Sequence, residues 1–254
     1  MCDVESIASK TRLPHKYMEE EKGLVPGGKK EKERFERTIT FLGRNTDGIL
    51  NDARREFADL GEISVIARDN DAFEAPAGME KTTVSGFNPD TTKRYLVIAN
   101  GGTSAQLLPV IRKMIEVGVA FEAVDLQRDG MTKAMENTGA PYEQGAREKR
   151  EGLPKVLVLF LGNNTEGILR DARQSYRGEI PAIVVQRENE RLQPPAGVET
   201  TTAGAFQPSV DKQYIIIANG GTSAQLLPTI EKMLKAGIAF EAHDLQRDGQ
   251  VKVW

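Results

Sequence analysis

Cysteine occurs once, at Cys2, in a chain of 254 residues. A single thiol closes no disulfide within the chain and builds no thiolate metal centre. Histidine is almost as scarce, with His15 and His243 alone, so a His-rich metal site is excluded and no metal is expected. A basic excess is missing too: 34 Lys and Arg stand against 37 Asp and Glu, for a net charge of −3. A groove for long nucleic acid needs such an excess, so no long nucleic acid is expected as a partner. No apolar run is long enough to cross a bilayer. The opening Met1-Cys-Asp-Val-Glu-Ser lacks the basic end and apolar core of a secretory signal. A cytoplasmic protein with no membrane partner is therefore expected. Gly-x-x-x-x-Gly-Lys-Ser/Thr and Gly-x-Gly-x-x-Gly are both absent, so neither a nucleotide triphosphatase nor a dinucleotide cofactor is indicated, and no cofactor is expected.

What the chain has is a duplication. Ile98-Ala-Asn-Gly-Gly-Thr-Ser-Ala-Gln-Leu-Leu-Pro109 recurs unchanged as Ile217 to Pro228. Around it, Phe41 to Gly130 matches Phe160 to Gly249 at one constant offset without a gap. Roughly fifty of the ninety aligned positions are identical, the mark of a duplicated whole domain rather than a solenoid. The identities cluster in Phe-Leu-Gly-x-Asn-Thr-x-Gly-Ile-Leu (41–50 and 160–169), in the glycine turn, and in Asp-Leu-Gln-Arg-Asp-Gly (125–130 and 244–249).

Each copy reads as strand, helix, strand, a short further strand, strand, helix, strand. Lys155 to Leu161 is an apolar run of the kind found in a central parallel strand. Thr165 to Tyr176 carries Ile168, Leu169 and Ala172 on one helical face. Ala182 to Gln186 reads as a strand, and Glu199 to Ala205, with its threonines, as a short edge strand. Tyr95 to Ala99 and Tyr214 to Ala218 read as buried strands, followed by helices over Ser104 to Val117 and Ser223 to Ala236. Pro228 predicts a kink or an irregular first turn in the second of these. Gly237 stops it, and Ile238 to His243 reads as the last strand. The expected fold class is α/β: two tandem Rossmann-like domains, each a mainly parallel sheet flanked by helices, related by pseudo-two-fold symmetry. The expected domains are a flexible polar arm over 1–37, repeat 1 over 38–130, a linker over 131–153 and repeat 2 over 154–254.

The candidate site follows from this layout. In an open parallel sheet the carboxyl ends of the strands form the ligand crevice. The three repeated motifs all follow strands, so they converge on one edge. Two glycines permit a tight turn and close approach of a ligand. A helix start behind them offers free N–H groups and a positive end, which favours an anion. Asn100, Gly101, Gly102, Thr103 and Ser104, with Asn219, Gly220, Gly221, Thr222 and Ser223, are read as a phosphate-binding turn. Asn45, Thr46, Asn164 and Thr165 add amides and hydroxyls, and Gln106 and Gln225 sit one turn into their helices. Arg128 and Arg247 offer planar forks suited to phosphate oxygens; a brace to Asp125 or Asp129 is the alternative. Asp125 and Asp129 read as turn residues. Serine–histidine catalysis fails, because Val124 stands where the second copy has His243.

Two motifs carry a resemblance. Leu161-Gly-Asn-Asn-Thr165 is followed by Gly167-Ile-Leu-x-Asp-Ala172, and the strand, glycine turn and helix of Ile217 to Leu227 are followed by a strand ending in Asp244-x-x-Arg247. In these the chain resembles the Rossmann-like sensor and ring-nuclease proteins of type III CRISPR systems (CARF and relatives). The resemblance covers both repeats and neither the arm nor the linker. It implies an antiviral-defence role in which a cyclic oligoadenylate is bound between the copies. Some members also cleave it without metal, by attack of a ribose 2′-hydroxyl on the neighbouring phosphate. Arg128 and Arg247 would then stabilise charge on that phosphate, with the N–H groups of Gly102, Thr103, Gly221 and Thr222. No base common to both copies is evident, so whether the chain is a phosphodiesterase or only sequesters the ligand stays open. The expected partner is thus a small phosphate-bearing ligand, and the expected state a monomer with an internal pseudo-dimer or a homodimer. A phosphosugar or mononucleotide enzyme with two independent sites, and a structural or interaction protein, are the rival readings.

Overall fold

The computed structural model describes residues 34–68, 73–100, 104–127, 130–139, 152–176, 179–218, 223–246 and 249–254. The expected arm lies outside the described residues as far as residue 33. Its last residues belong to the fold. Phe35 is buried, its ring 5.3 Å from that of Phe57, with the Arg94 guanidinium 4.7 Å above its centroid. One large apolar side chain among charges suffices to dock that stretch.

Repeat 1 forms β1 (Arg37–Phe41), α1 (Thr46–Glu56), β2 (Glu62–Ala67), β3 (Glu80–Thr83), β4 (Tyr95–Asn100), α2 (Ser104–Glu116), β5 (Ala120–Gln127) and β6 (Gly130–Thr138). Repeat 2 forms β7 (Lys155–Phe160), α3 (Thr165–Ser175), β8 (Ala182–Gln186), β9 (Glu199–Thr202), β10 (Gln213–Ala218), a 3₁₀ turn (Ser223–Leu226), α4 (Leu227–Lys235), β11 (Phe240–Gln246) and β12 (Gly249–Lys252). The protein is α/β, with two mainly parallel six-stranded sheets flanked by these four helices. The sheets run β3-β2-β1-β4-β5-β6 and, from the matching edge, β9-β8-β7-β10-β11-β12. Only the last pair in each, β5–β6 and β11–β12, is antiparallel.

Those last strands correct the sequence reading. Gly130–Thr138 falls almost wholly in the expected linker, yet it is β6, paired with β5 along its length. The register slips between Ala123 and Val124, so the neighbours Ala134 and Met135 are both buried. A bulge of this kind breaks the alternation by which a strand is recognised. Asn137 pins the strand by donating to the Val119 carbonyl at 2.8 Å. Asp125 is likewise a strand residue, level with Ala99 on one side and Thr132 on the other, and not a turn residue. Gly237, at φ +63°, ends α4 as expected, although β11 begins only at Phe240.

Each sheet buries its two faces differently. On one face α1 packs Ile49, Leu50 and Ala53 against Leu96 and Ile98, and α3 packs Ile168, Leu169 and Ala172 against Leu157, Ile215 and Ile217. These cores are local to each repeat. The other faces meet in one shared core, where Ile111 and Met114 of α2 and Ile230 and Met233 of α4 join Val97, Phe121, Val158 and Ile216. Burying each such side chain contributes about 1.5–3 kcal/mol. The two repeats therefore form one compact unit spanning Lys32–Trp254. Among the described residues no helix is long and apolar enough to cross a membrane.

Candidate functional site

The strand order settles which motifs share an edge. In β1, β4 and β5, adjacent and parallel, Thr40 is level with Ile98 and Ala99 with Asp125. The Gly43–Thr46 turn, the start of α2 and the β5–β6 connection therefore leave the sheet side by side at its carboxyl edge. Repeat 2 repeats the arrangement through β7, β10 and β11, where Ile217 is level with Leu159 and Ala218 with Asp244.

Within the first turn the threonines are structural. Thr46 Oγ1 accepts from Gly43 N at 2.9 Å and donates to Gly43 O at 2.8 Å, and its residue is 3% exposed. Thr165 does the same with Gly162 at 2.7 and 2.8 Å and lies 3.2 Å from Phe160 O. Their hydroxyls are committed to closing the turn, which corrects the expectation that they face a ligand. The neighbouring asparagines are exposed instead. Asn45 and Asn164 cap α1 and α3 through their main-chain carbonyls, at 3.0 Å to Ile49 N and Ile168 N, and neither side chain makes a capping bond. Each carboxamide lies over the first helical turn, where a Cβ on Gly167 would come within 2.6 Å of Asn164 Oδ1, and one on Gly48 would meet Asn45 Oδ1 as closely. Glycine at 48 and 167 thus makes room for the carboxamide.

Asn100, Ser104 and Ser223 are placed by their backbone, at the end of β4 and the starts of α2 and the 3₁₀ turn. Gly101, Gly102, Thr103, Arg128, Asn219, Gly220, Gly221, Thr222 and Arg247 lie outside the described residues. Gln106 and Gln225 are half-buried, and Gln225 reaches across the repeats. Its Nε2 donates to Asp125 Oδ2 at 3.4 Å, long for a hydrogen bond. Asp125 itself is only 3% exposed, and its counterpart Asp244 only 1%.

That contact forms part of the wall of a cavity of about 260 Å³ between the repeats. Asp125, Lys133 and Ala134 come from repeat 1, and Phe160, Arg187, Ala203, Ala224, Gln225 and Pro228 from repeat 2. The Arg187 guanidinium stands 5.8 Å from the Phe160 ring centroid. Lys133 bridges Glu122 at 3.2 Å and Glu136 at 2.6 Å, and the hydrogen bond to Glu136 raises its pKa. Such a cavity offers apolar walls, a buried carboxylate in Asp125 and an exposed one in Glu188, an amide with both donor and acceptor, and cations beside it.

Arg187 and Lys133 were missed in the sequence. A signal for them existed: Arg68 and Lys252 occupy the same places in the other copy. They fall outside the three clusters of identity, and only the fold brings them to the cleft. Comparison with family models, with curated proteins and with solved structures finds no match to the chain, so the site stands on its own geometry.

Proposed function

We propose that the chain binds a phosphate-bearing nucleotide in the cleft where the carboxyl edges of the two repeats meet, and that the ligand is a cyclic oligoadenylate. In this reading each half is a Rossmann-like domain with strand order 3-2-1-4-5-6, and the halves are related by a pseudo-two-fold axis. One observation carries it: Gln225 of repeat 2 touches Asp125 of repeat 1 at 3.4 Å, beside a cavity walled by both. Two crevices that open toward each other can share one ligand. Asn45 and Asn164 stand exposed at that edge. The glycine turns follow β4 and β10, and Arg128 and Arg247 follow β5 and β11 at the same edge.

Cleavage would follow from the same groups. The ribose 2′-hydroxyl attacks the adjacent phosphorus and the 5′-oxygen leaves. The proton passes from the attacking to the leaving oxygen, and a 2′,3′-cyclic phosphate remains. Arg128 and Arg247 stabilise the charge gathering on the non-bridging oxygens.

The test is a titration of the full chain with cyclic oligoadenylates of three, four and six units, followed by product analysis. Saturable binding supports the reading; linear products ending in a cyclic phosphate add the phosphodiesterase activity. Arg247→Ala is expected to weaken binding at least about tenfold, the loss of a charge-assisted contact, with the melting temperature unchanged. No binding of any ring size would defeat the reading. A large loss of stability in Arg247→Ala, with binding intact, would make that arginine a brace.

A further inference from the structure

The residues that wall the described cavity have counterparts in the other copy, where they would form a second seat, and the two sets differ. Around the described cavity the polar groups are Asp125, Thr132, Lys133, Gln186, Arg187, Glu188 and Gln225, and the apolar surface includes Phe160, Ala134 and Ala203. At the constant offset between the copies, the other seat carries Asp244, Arg68, Gln106 and Phe41, each identical to its counterpart. The two alanines are not retained. Val84 stands for Ala203 and Val253 for Ala134, each adding two methyl groups, and both valines pack against the shared core. Four polar groups are therefore duplicated, Lys133 as Lys252 among them, but Ala67 stands for Gln186, Val251 for Thr132 and Asp69 for Glu188, so the two walls differ in polar groups as well as in the valines.

We propose that the repeats are no longer equivalent as binding sites: the seat at Asp125, Phe160, Arg187 and Gln225 takes one planar nitrogen heterocycle of nucleobase size per chain, and the matching seat at Asp244 and Phe41, where Val84 and Val253 replace alanines and Ala67 replaces Gln186, does not. The inference rests on the reading of the cleft as a nucleotide site and adds which half of it holds a base. The described cavity is small for a ligand pocket, which usually exceeds about 300 Å³, and suits a single flat ring system. Its alanines and Pro228 admit a flat ring, and the Phe160 side chain supplies an aromatic wall. Asp125 is an acceptor for a ring N–H or an exocyclic amino group. Gln225 supplies a donor and an acceptor from the opposite wall, and its long contact to Asp125 yields to a ligand at little cost. The two-fold symmetry of a cyclic ligand is then met by unequal halves, one gripping a base and the other only the backbone.

Adenosine tests this, because it carries a heterocycle without a phosphate. Calorimetric titration of the full chain should give one adenosine per chain. Ala203→Val and Ala134→Val, each made singly, should weaken binding about tenfold or more, as overpacking of a filled site does. Circular dichroism checks that each variant is folded. Val84→Ala with Val253→Ala should raise the stoichiometry to two. Two adenosines per wild-type chain, no adenosine bound, or unchanged affinity in both folded alanine-to-valine variants would overturn the proposal. If adenosine binds once while no cyclic oligoadenylate binds, the seat stands and the cyclic-nucleotide reading falls.

Discussion

The two repeats share a carboxyl edge and differ at the opposite one. At the carboxyl edge the Gly43–Thr46 and Gly162–Thr165 turns close with the same bonds. The amino edge keeps one bond in common: Tyr95 accepts from Asp90 N, and Tyr214 from Ser209 N, both at 2.8 Å. At the amino edge repeat 1 holds a polar cluster: Arg37 meets Glu62 at 2.6 Å and Glu80 at 3.6 Å, and Ser64 donates to Glu80 at 3.1 Å. Repeat 2 has Val156, Pro181 and Ile183 in place of Arg37, Glu62 and Ser64, with Val156 and Ile183 buried. Both solutions hold the same sheet, so folding alone tolerates either. What stayed fixed at the carboxyl edge are the Gly43–Thr46 and Gly162–Thr165 turns, whereas the amino edge kept its tyrosine bond and exchanged its polar cluster.

The same contrast governs the turn into the second strand of each repeat, and it predicts the largest effect. Gly61 has φ +60°, and a Cβ there would collide with the Glu36 carbonyl and stand 2.7 Å from Phe35 O. Repeat 2 has Ile180 at this place, half-buried against its local core. Gly61→Ala should cost about 2–3 kcal/mol, from left-handed backbone strain plus the collision. Gly78 and Gly197 share a positive φ with open space around them, so alanine there should cost about 1 kcal/mol. Thermal melts decide, at roughly 2–4 °C per kcal/mol for a chain of this size. Equal shifts for Gly61→Ala and Gly78→Ala would mean that the Glu36 carbonyl gives way freely.

A smaller effect, of opposite sign, lies in the second helices. The twelve repeated residues enter α2 as a continuous helix with Pro109 inside it, whereas Ser223–Leu226 is a 3₁₀ turn and Pro228 falls in the first turn of α4. Identical residues thus give two helix starts, so the cause lies beyond them. The first residue to differ is Val110 in repeat 1 and Thr229 in repeat 2, both fully buried. The Thr229 hydroxyl finds no partner among the described residues. A buried hydroxyl without a bond costs about 1–3 kcal/mol, and valine has nearly its shape. Thr229→Val should therefore raise the melting temperature by a few degrees, about 1 kcal/mol. A lower melting temperature would show that the hydroxyl is satisfied in solution and helps to set the 3₁₀ start.

These cases mark how far the residues alone could be read. Continuous apolar runs and helical spacing were enough for β7, α3, β8 and β10, since burial on both faces leaves a plain signal. An irregular start before α4 was expected from Pro228, but Pro109 stands at the same place inside the continuous α2, so the proline alone does not account for it. Strand β6 was not legible, because its bulge puts Ala134 and Met135 side by side in the core. Nor was the buried place of Thr46 and Thr165, whose hydroxyls serve a main-chain turn and so look like any exposed threonine in sequence. The cleft was legible only by halves. Gln225 could be singled out from its motif, but that it meets Asp125 of the other repeat depends on how two sheets pack.

The smallest predicted effect concerns the charges beside the cleft. Glu122 and Glu241 are matched, as are Lys133 and Lys252, but the third partner changes. In repeat 1 Lys133 also holds Glu136 at 2.6 Å, and Glu122 also meets Arg94 at 3.7 Å. In repeat 2 Glu241 lies 3.3 Å from Lys252 and 3.4 Å from His243. The hydrogen bond from Lys133 holds the Glu136 carboxyl below its ordinary pKa, and the same bond holds Lys133 above its own. For the depressed Glu136 the stabilisation is present above the unfolded pKa, near 4.3, and is lost as pH falls through the lower folded value. For the raised Lys133 it is present below about 10.4 and lost as pH rises past that. Both side chains are more than a third exposed, so solvent limits the whole effect to below about 1 kcal/mol. Glu136→Gln should flatten part of the loss of stability between about pH 5 and pH 3 while leaving the melting temperature at pH 7 within about 2 °C. An acid limb unchanged in Glu136→Gln would show that the bond between Lys133 and Glu136 contributes nothing to it.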